Sequence, residues 1–310
     1  MTLPTLPRCP DDIRAALTGP CPSVRPTFDR QGEIDTDALA TQVEYLLAAG
    51  AKSLILTEGD SLFSVLSDDE IESITRQLID VNAGRAKVVS ATGIWWTRRA
   101  VDFAASANRW GADLVMVLPP DWGASTTLDT LVAHYAAAAE HLPVMVVTNF
   151  LNRRPRAFGL ELVRRLYREI PGVISLKDDV CGDFARRICL ETSARWALIA
   201  GGQKQNHMNM HPYGVDGYLS LHLAFHPEVS KTYWQAIERN DLPAARRIIA
   251  DFDMPLFDYA LAESGGFDAV VHGILEWRGL GERHRRPPYH TLTEEQYRQL
   301  VDFLESRPAL

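Results

Sequence analysis

The stretch "GVISLKDD" (172–179) decides how this chain is read. Val173, Ile174, Ser175 and Leu176 make a near-continuous apolar run, and Lys177 closes it just before Asp178 and Asp179. Such a run fits a β-strand covered on both faces. A lysine at its carboxyl end has two readings. It is a structural lysine paired with Asp178 or Asp179, or it is a nucleophile.

The same kind of run recurs outward in both directions. "AKSLILT" (51–57), "AKVVSAT" (86–92), "DLVMVLPP" (113–120), "PVMVVTNF" (143–150), "WALIAGG" (196–202) and "VDGYLSL" (215–221) read as strands, as does "PCPSVRPTF" (20–28). Amphipathic helix-like segments separate them, such as "DDEIESITRQLIDVNAG" (68–84) and "TRRAVDFAASANRWGA" (97–112). Strands alternating with helices imply a parallel sheet with helical crossovers. Eight such units favour an α/β fold closed as a (β/α)8 TIM barrel. No G-x-G-x-x-G follows a strand, which argues against a dinucleotide-binding open sheet. From about residue 224 the pattern is helical only. The expected organisation is a barrel core over 1–225. The last barrel helix and a C-terminal helical extension, packed on the barrel, follow over 226–310.

Alternation along a strand puts Lys177 on one face with Ser175 and Val173. If that face is the barrel interior, Lys177 lies at the end where such barrels carry their active sites. Partial desolvation there disfavours the charged amine. A neutral amine attacks a carbonyl to form an imine, which then serves as an electron sink for C–C or C–O cleavage. Other strand ends carry polar groups. Strand five ends at Thr148 and Asn149. Strand two ends in the turn "TEGDS" (57–61), where backbone N–H groups and Ser61 fit a carboxylate or hydroxyls. Strand four ends in "PPDWG" (119–123), where Trp122 fits a pocket wall or a subunit contact.

These segments together resemble the dihydrodipicolinate synthase / N-acetylneuraminate lyase family of class I, Schiff-base aldolases and lyases. "RPTFDRQGEID", "LSDDE", "GADLVMVLPPDW", "VTNFLNR", "GVISLKDD", "GVDGYLS" and "LEWRGLGERHRRPPYHTLTEEQ" carry the resemblance, which spans nearly the whole chain. It implies a 2-oxo acid or related small carbonyl substrate bound as an imine on Lys177. It also implies Arg153 holding an acidic substrate, no cofactor, and a homo-oligomer, a tetramer or dimer. Three positions depart from the family. Its proton-relaying tyrosine falls on Thr148, a far weaker acid. Its carboxylate-binding "GTTGE" turn falls on Glu58, Gly59, Asp60, Ser61 and Leu62, where Asp60 would repel an anion unless neutralised. Its tyrosine that reaches into a neighbouring subunit falls on Trp122. Synthesis of dihydrodipicolinate is therefore not expected. A changed lyase, aldolase or dehydratase is, with Lys177 and Thr148 as catalytic candidates. Gly59, Asp60, Ser61, Asn149, Arg153 and Trp122 are the substrate-binding candidates. The alternative is a binding or regulatory protein that has kept the barrel and lost catalysis.

Composition narrows the rest. The chain has 310 residues, is 46% hydrophobic and carries a net charge of −8, which disfavours nucleic-acid binding. Its four cysteines form no CxxC pair, as expected of free thiols in a reducing compartment. "MTLPTLPRCPDD" has no apolar h-region, and no run is long enough to cross a bilayer. A soluble, cytoplasmic protein is expected. His207 and His211, and again His222 and His226, stand four apart. They fit polar or interface positions better than a metal site, and no metal is expected. Trp95 and Trp96, just after strand three, fit either a pocket wall or a subunit contact.

Overall fold

The computed structural model describes residues 6–307, so the first five residues of the stretch read for a leader lie outside it. Eight parallel strands carry the fold. They are β1 (Gly19–Cys21), β2 (Ser53–Ile55), β3 (Lys87–Ile94), β4 (Leu114–Leu118), β5 (Val144–Val147), β6 (Val173–Asp178), β7 (Ala197–Ala200) and β8 (Gly217–Leu219). Their spatial order is β1-β8-β7-β6-β5-β4-β3-β2. The ring closes between β1 and β2 by a bridge from Ser23 to Ile55. There Val24 N–H donates to Ile55 O at 2.9 Å and Ile55 N–H to Pro22 O at 3.1 Å. The first strand is shorter than the run 20–28 implies. Pro20, Pro22 and Pro26 have no N–H to offer a ladder, which limits regular pairing to three residues.

A short helix, α1 (Asp11–Ala16), precedes β1. One helix then follows each strand: α2 (Thr36–Ala48), α3 (Asp68–Asn82), α4 (Thr97–Trp110), α5 (Leu128–Ala139), α6 (Arg156–Glu169), α7 (Gly182–Thr192), α8 (Gln203–Met210) and α9 (Pro227–Glu238). Local chemistry sets several starts. Ser67 and Glu70 form a reciprocal capping box on α3, and Asp35 caps α2 by accepting from Ala38 N–H. The strands are buried on both faces, β4, β5 and β7 throughout, which explains why they read as unbroken apolar runs.

The chain then adds α10 (Leu242–Ile248), α11 (Met254–Ala262), α12 (Gly266–Trp277) and α13 (Glu294–Glu305). A π-helical turn over Ile249–Asp253 joins α10 to α11. Pro255, two residues beyond it, lacks the N–H that a regular helix would direct to residue 251. These helices share a second apolar cluster built on Leu256, Val270, Ile274 and Leu300, which takes in Leu221 and Phe225 from the chain just beyond β8. A buried ion pair fixes the π turn to the barrel. Lys204 of α8 meets Asp253 at 2.7 Å, and His222 Nδ1 lies 3.3 Å from the same carboxylate oxygen. Among the described residues no helix is long and apolar enough to cross a membrane.

Candidate active site

Lys177 is the penultimate residue of β6, in register with Val147 of β5 and Ile199 of β7. The residue is buried, with only 5% of its surface exposed. Its Nζ donates to both carboxylate oxygens of Asp179, at 2.6 and 2.7 Å. Two residues apart on an extended chain, the two side chains share a face, so the pairing follows from strand geometry. Of the two aspartates, Asp179 is the lysine's partner.

Asp178 points elsewhere and locks the strand end. Its carboxylate accepts from Cys181 N–H at 2.9 Å, Val180 N–H at 3.3 Å, Asn206 Nδ2 at 3.2 Å and Thr148 Oγ1 at 3.1 Å. Burial nonetheless pushes this carboxyl above its ordinary range. Thr148 is fully buried, and its hydroxyl also accepts from Asp179 N–H at 2.8 Å. Thr148, forecast as a catalytic group, thus ties its hydroxyl to the end of β6, donating to Asp178 and accepting from Asp179 N–H.

The turn after β2 differs from expectation in a similar way. Ser61 is fully buried. Its hydroxyl donates to Val24 O at 2.6 Å and accepts from Thr57 N–H at 3.2 Å, so it is closed to a ligand. Asp60 is neutralised. Arg25 Nη2 lies 3.0 Å from its carboxylate, and Ser23 Oγ donates to it at 2.7 Å. Arg25 is itself buried and donates to Ser23 Oγ at 2.8 Å. The repulsion expected of Asp60 is thus cancelled from beneath. Gly59 is exposed at the tip of the turn.

A cleft of about 340 Å³ opens at the carboxyl ends of β2 to β5. Asn149, Phe150 and Arg153 form one wall, and Pro119, Pro120, Asp121 and Trp122 another. Glu58, Ile94 and Leu118 complete it. Arg153 is exposed and has no ion-pair partner among the described residues, whereas its neighbour Arg154 is locked. Arg154 makes a two-pronged pair with Asp121, both bonds 2.7 Å, and donates to Thr126 O at 2.7 Å. That clasp ties the 119–126 loop to the 149–153 turn and gives the cleft its shape. Trp122 stands 89% exposed on the rim. Burial raises the Glu58 carboxyl above its ordinary range. Lys177 is not part of this wall. It lies one strand from Asn149, beneath Asp179.

The residues forecast for the site thus divide. Asn149, Arg153 and Trp122 share the cleft, Lys177 sits beside it, and Thr148, Asp60 and Ser61 support it from below. Two functional candidates were missed: Asp179, whose i, i+2 relation to Lys177 was the available signal, and Glu58, hidden inside a turn read as a unit. Trp95 is buried and donates to Asp68 at 2.7 Å, so it packs rather than binds. Trp96 is exposed but outside the cleft wall. His207 donates to or accepts from Tyr233 Oη at 2.8 Å in the barrel wall.

Comparison with known proteins bears on this geometry. The family model described as the dihydrodipicolinate synthetase family matches residues 16–307. The chain belongs to that family. Relatives include a protein of Streptomyces coelicolor named probable 5-dehydro-4-deoxyglucarate dehydratase 1, 28% identical over 90% of this chain and 89% of its own. Another, from Pseudomonas fluorescens and named probable 5-dehydro-4-deoxyglucarate dehydratase, is 26% identical over 97% of this chain and 99% of its own. The crystal structure of dihydrodipicolinate synthase from Oceanobacillus iheyensis superposes with a TM-score of 0.83 at 20% identity. It covers 95% of this chain and 98% of that one, a likeness of fold. The family works through Schiff bases, so the chain is a class I lyase of the aldolase or dehydratase type. The two sequence relatives are named as dehydratases rather than as dihydrodipicolinate synthases.

Proposed function

We propose that this chain is a dehydratase acting on a hydroxylated 2-oxo acid of the 5-dehydro-4-deoxyglucarate kind, through an imine on Lys177. The observation that carries this is a buried lysine at the carboxyl end of a barrel strand, beside a cleft that offers one cation without an ion-pair partner among the described residues. The named relatives supply the substrate class.

The chemistry follows from the substrate's connectivity. The oxo carbon of such a compound, next to one carboxylate, forms the imine. The neighbouring deoxy carbon then loses a proton, giving an enamine. The enamine electrons expel the hydroxyl one carbon further on, and water leaves. Arg153 holds the distal carboxylate by charge-assisted hydrogen bonds. Asn149, the exposed Gly59 backbone and the indole of Trp122 shape the approach. Glu58, whose carboxyl burial raises above its ordinary range, supplies the proton to the departing hydroxyl.

Incubating the protein with 5-dehydro-4-deoxyglucarate in deuterated water and following the proton spectrum tests this reading. Loss of the signal beside the hydroxyl, with deuterium entering the deoxy position, is expected. An unchanged substrate beside an intact protein would refute it. Tight binding of the same compound without turnover, undiminished in Lys177→Ala, would favour the binding-protein alternative.

A further inference from the structure

We infer that Asp179 is the proton shuttle of imine formation and breakdown at Lys177, and that Gly201 exists to leave room for its carboxylate. The inference rests on the reading of Lys177 as the imine-forming residue and extends it.

Proton accounting sets the need. A ketone and an ammonium give a protonated imine and water. The nitrogen gives up two of its three protons, the oxygen receives both, C=N replaces C=O, and no oxidant or reductant takes part. Something touching the nitrogen has to collect those protons and hand them to the oxygen. Asp179 meets Nζ with both oxygens, at 2.6 and 2.7 Å, within the reach required of a general base. Its side chain also keeps 21% of its surface open, against 6% for the lysine's, so it faces both the amine and incoming solute.

The other groups nearby are occupied or unsuited. Thr148 Oγ1 is held by Asp178 and by Asp179 N–H. Asp178 is saturated by four donors. The Cys181 thiol is pushed up to about 11, chiefly by burial, and holds its proton too tightly to relay it.

The surroundings are shaped for this carboxylate. Thr148 fixes the Asp179 backbone from β5. At the end of β7, a Cβ on Gly201 would lie 1.8 Å from Asp179 Oδ1 and 2.7 Å from Asp178 O. No side chain larger than hydrogen is compatible with the carboxylate where it stands.

The test is the rate at which borohydride traps pyruvate on the full-length protein, followed by mass. Asp179→Asn and Gly201→Ala are expected to slow trapping about a hundredfold, a usual share for general acid–base catalysis. Added formate is expected to restore much of the rate to Asp179→Ala by replacing the missing carboxylate. Trapping at the wild-type rate in Asp179→Asn would overturn the inference. So would a slow Asp179→Ala that formate leaves slow, since that marks a structural loss. If the wild-type protein traps no oxo acid at all, the reading of Lys177 itself fails, a result distinct from either. Should Asp179→Asn not fold, formate rescue of Asp179→Ala decides by the same rate.

Discussion

Lys177 and Arg153 divide the work of holding a substrate between a covalent bond and a charge. Arg153 is exposed and has no ion pair among the described residues, so its removal takes a contact from the ligand and little from the fold. A charge-assisted hydrogen bond contributes about 1.5–3 kcal/mol, equivalent to roughly tenfold to a hundredfold in affinity. Arg153→Ala is expected to raise KM by that factor for a dicarboxylate and much less for pyruvate, with kcat nearly constant. Equal effects on both substrates in steady-state assays would remove Arg153 from the distal grip. At this scale the sequence was informative about charge and uninformative about commitment. Lys177, Arg153 and Asn149 were legible because strand ends are legible. That Ser61 and Thr148 are spent on backbone groups, and that Arg25 neutralises Asp60, depends on contacts across 30 or more residues that no local pattern encodes.

Among the elements, the ends of β4 and β5 and the loops beyond them make the cleft. Their clasp is the Asp121–Arg154 pair, with side chains only 7% and 9% exposed. Removing one partner of a buried pair leaves the other charge uncompensated, at a cost of about 3–5 kcal/mol. Asp121→Ala is expected to lower the denaturant midpoint by a corresponding amount and to raise KM, because the 119–126 loop loses its tie to the 149–153 turn. An unchanged midpoint and KM would show that the clasp shapes nothing. The strands themselves were legible from apolar runs, and the barrel from their number. The exceptions are physical. Prolines shortened β1. Pro255 sits two residues after a π turn in a stretch read as continuous helix.

Over the whole molecule, the C-terminal helices close on the barrel, and buried histidines lie in the barrel wall and at that seam. Burial drives His207 and His272 down to about 3, with His211 adding to the first and Arg285 and Arg25 to the second. His222 is driven well below its ordinary 6.5 by burial and by Lys204. Each is neutral when folded and gains a proton on unfolding in acid. A lowered folded pKa means the stabilisation is complete above about pH 6.5 and is lost as pH falls toward 3. His207 and His272 then each remove roughly 2 kcal/mol by pH 5. Urea midpoints are expected to fall steadily between pH 7 and 5, with a shallower slope in His272→Leu. A midpoint constant over that range would contradict the neutral, buried state of these rings. The helical extension was legible as helices; its seam was not, since His222 and Lys204 come from loop and helix starts with no shared pattern.

The most direct measurement of the central claim locates the covalent bond. The protein is reduced with borohydride in the presence of pyruvate, digested and sequenced by mass. The added mass is expected on the peptide carrying Lys177, and is expected to vanish in Lys177→Ala. A labelled protein whose adduct lies on another lysine, or persists in that variant, would contradict it.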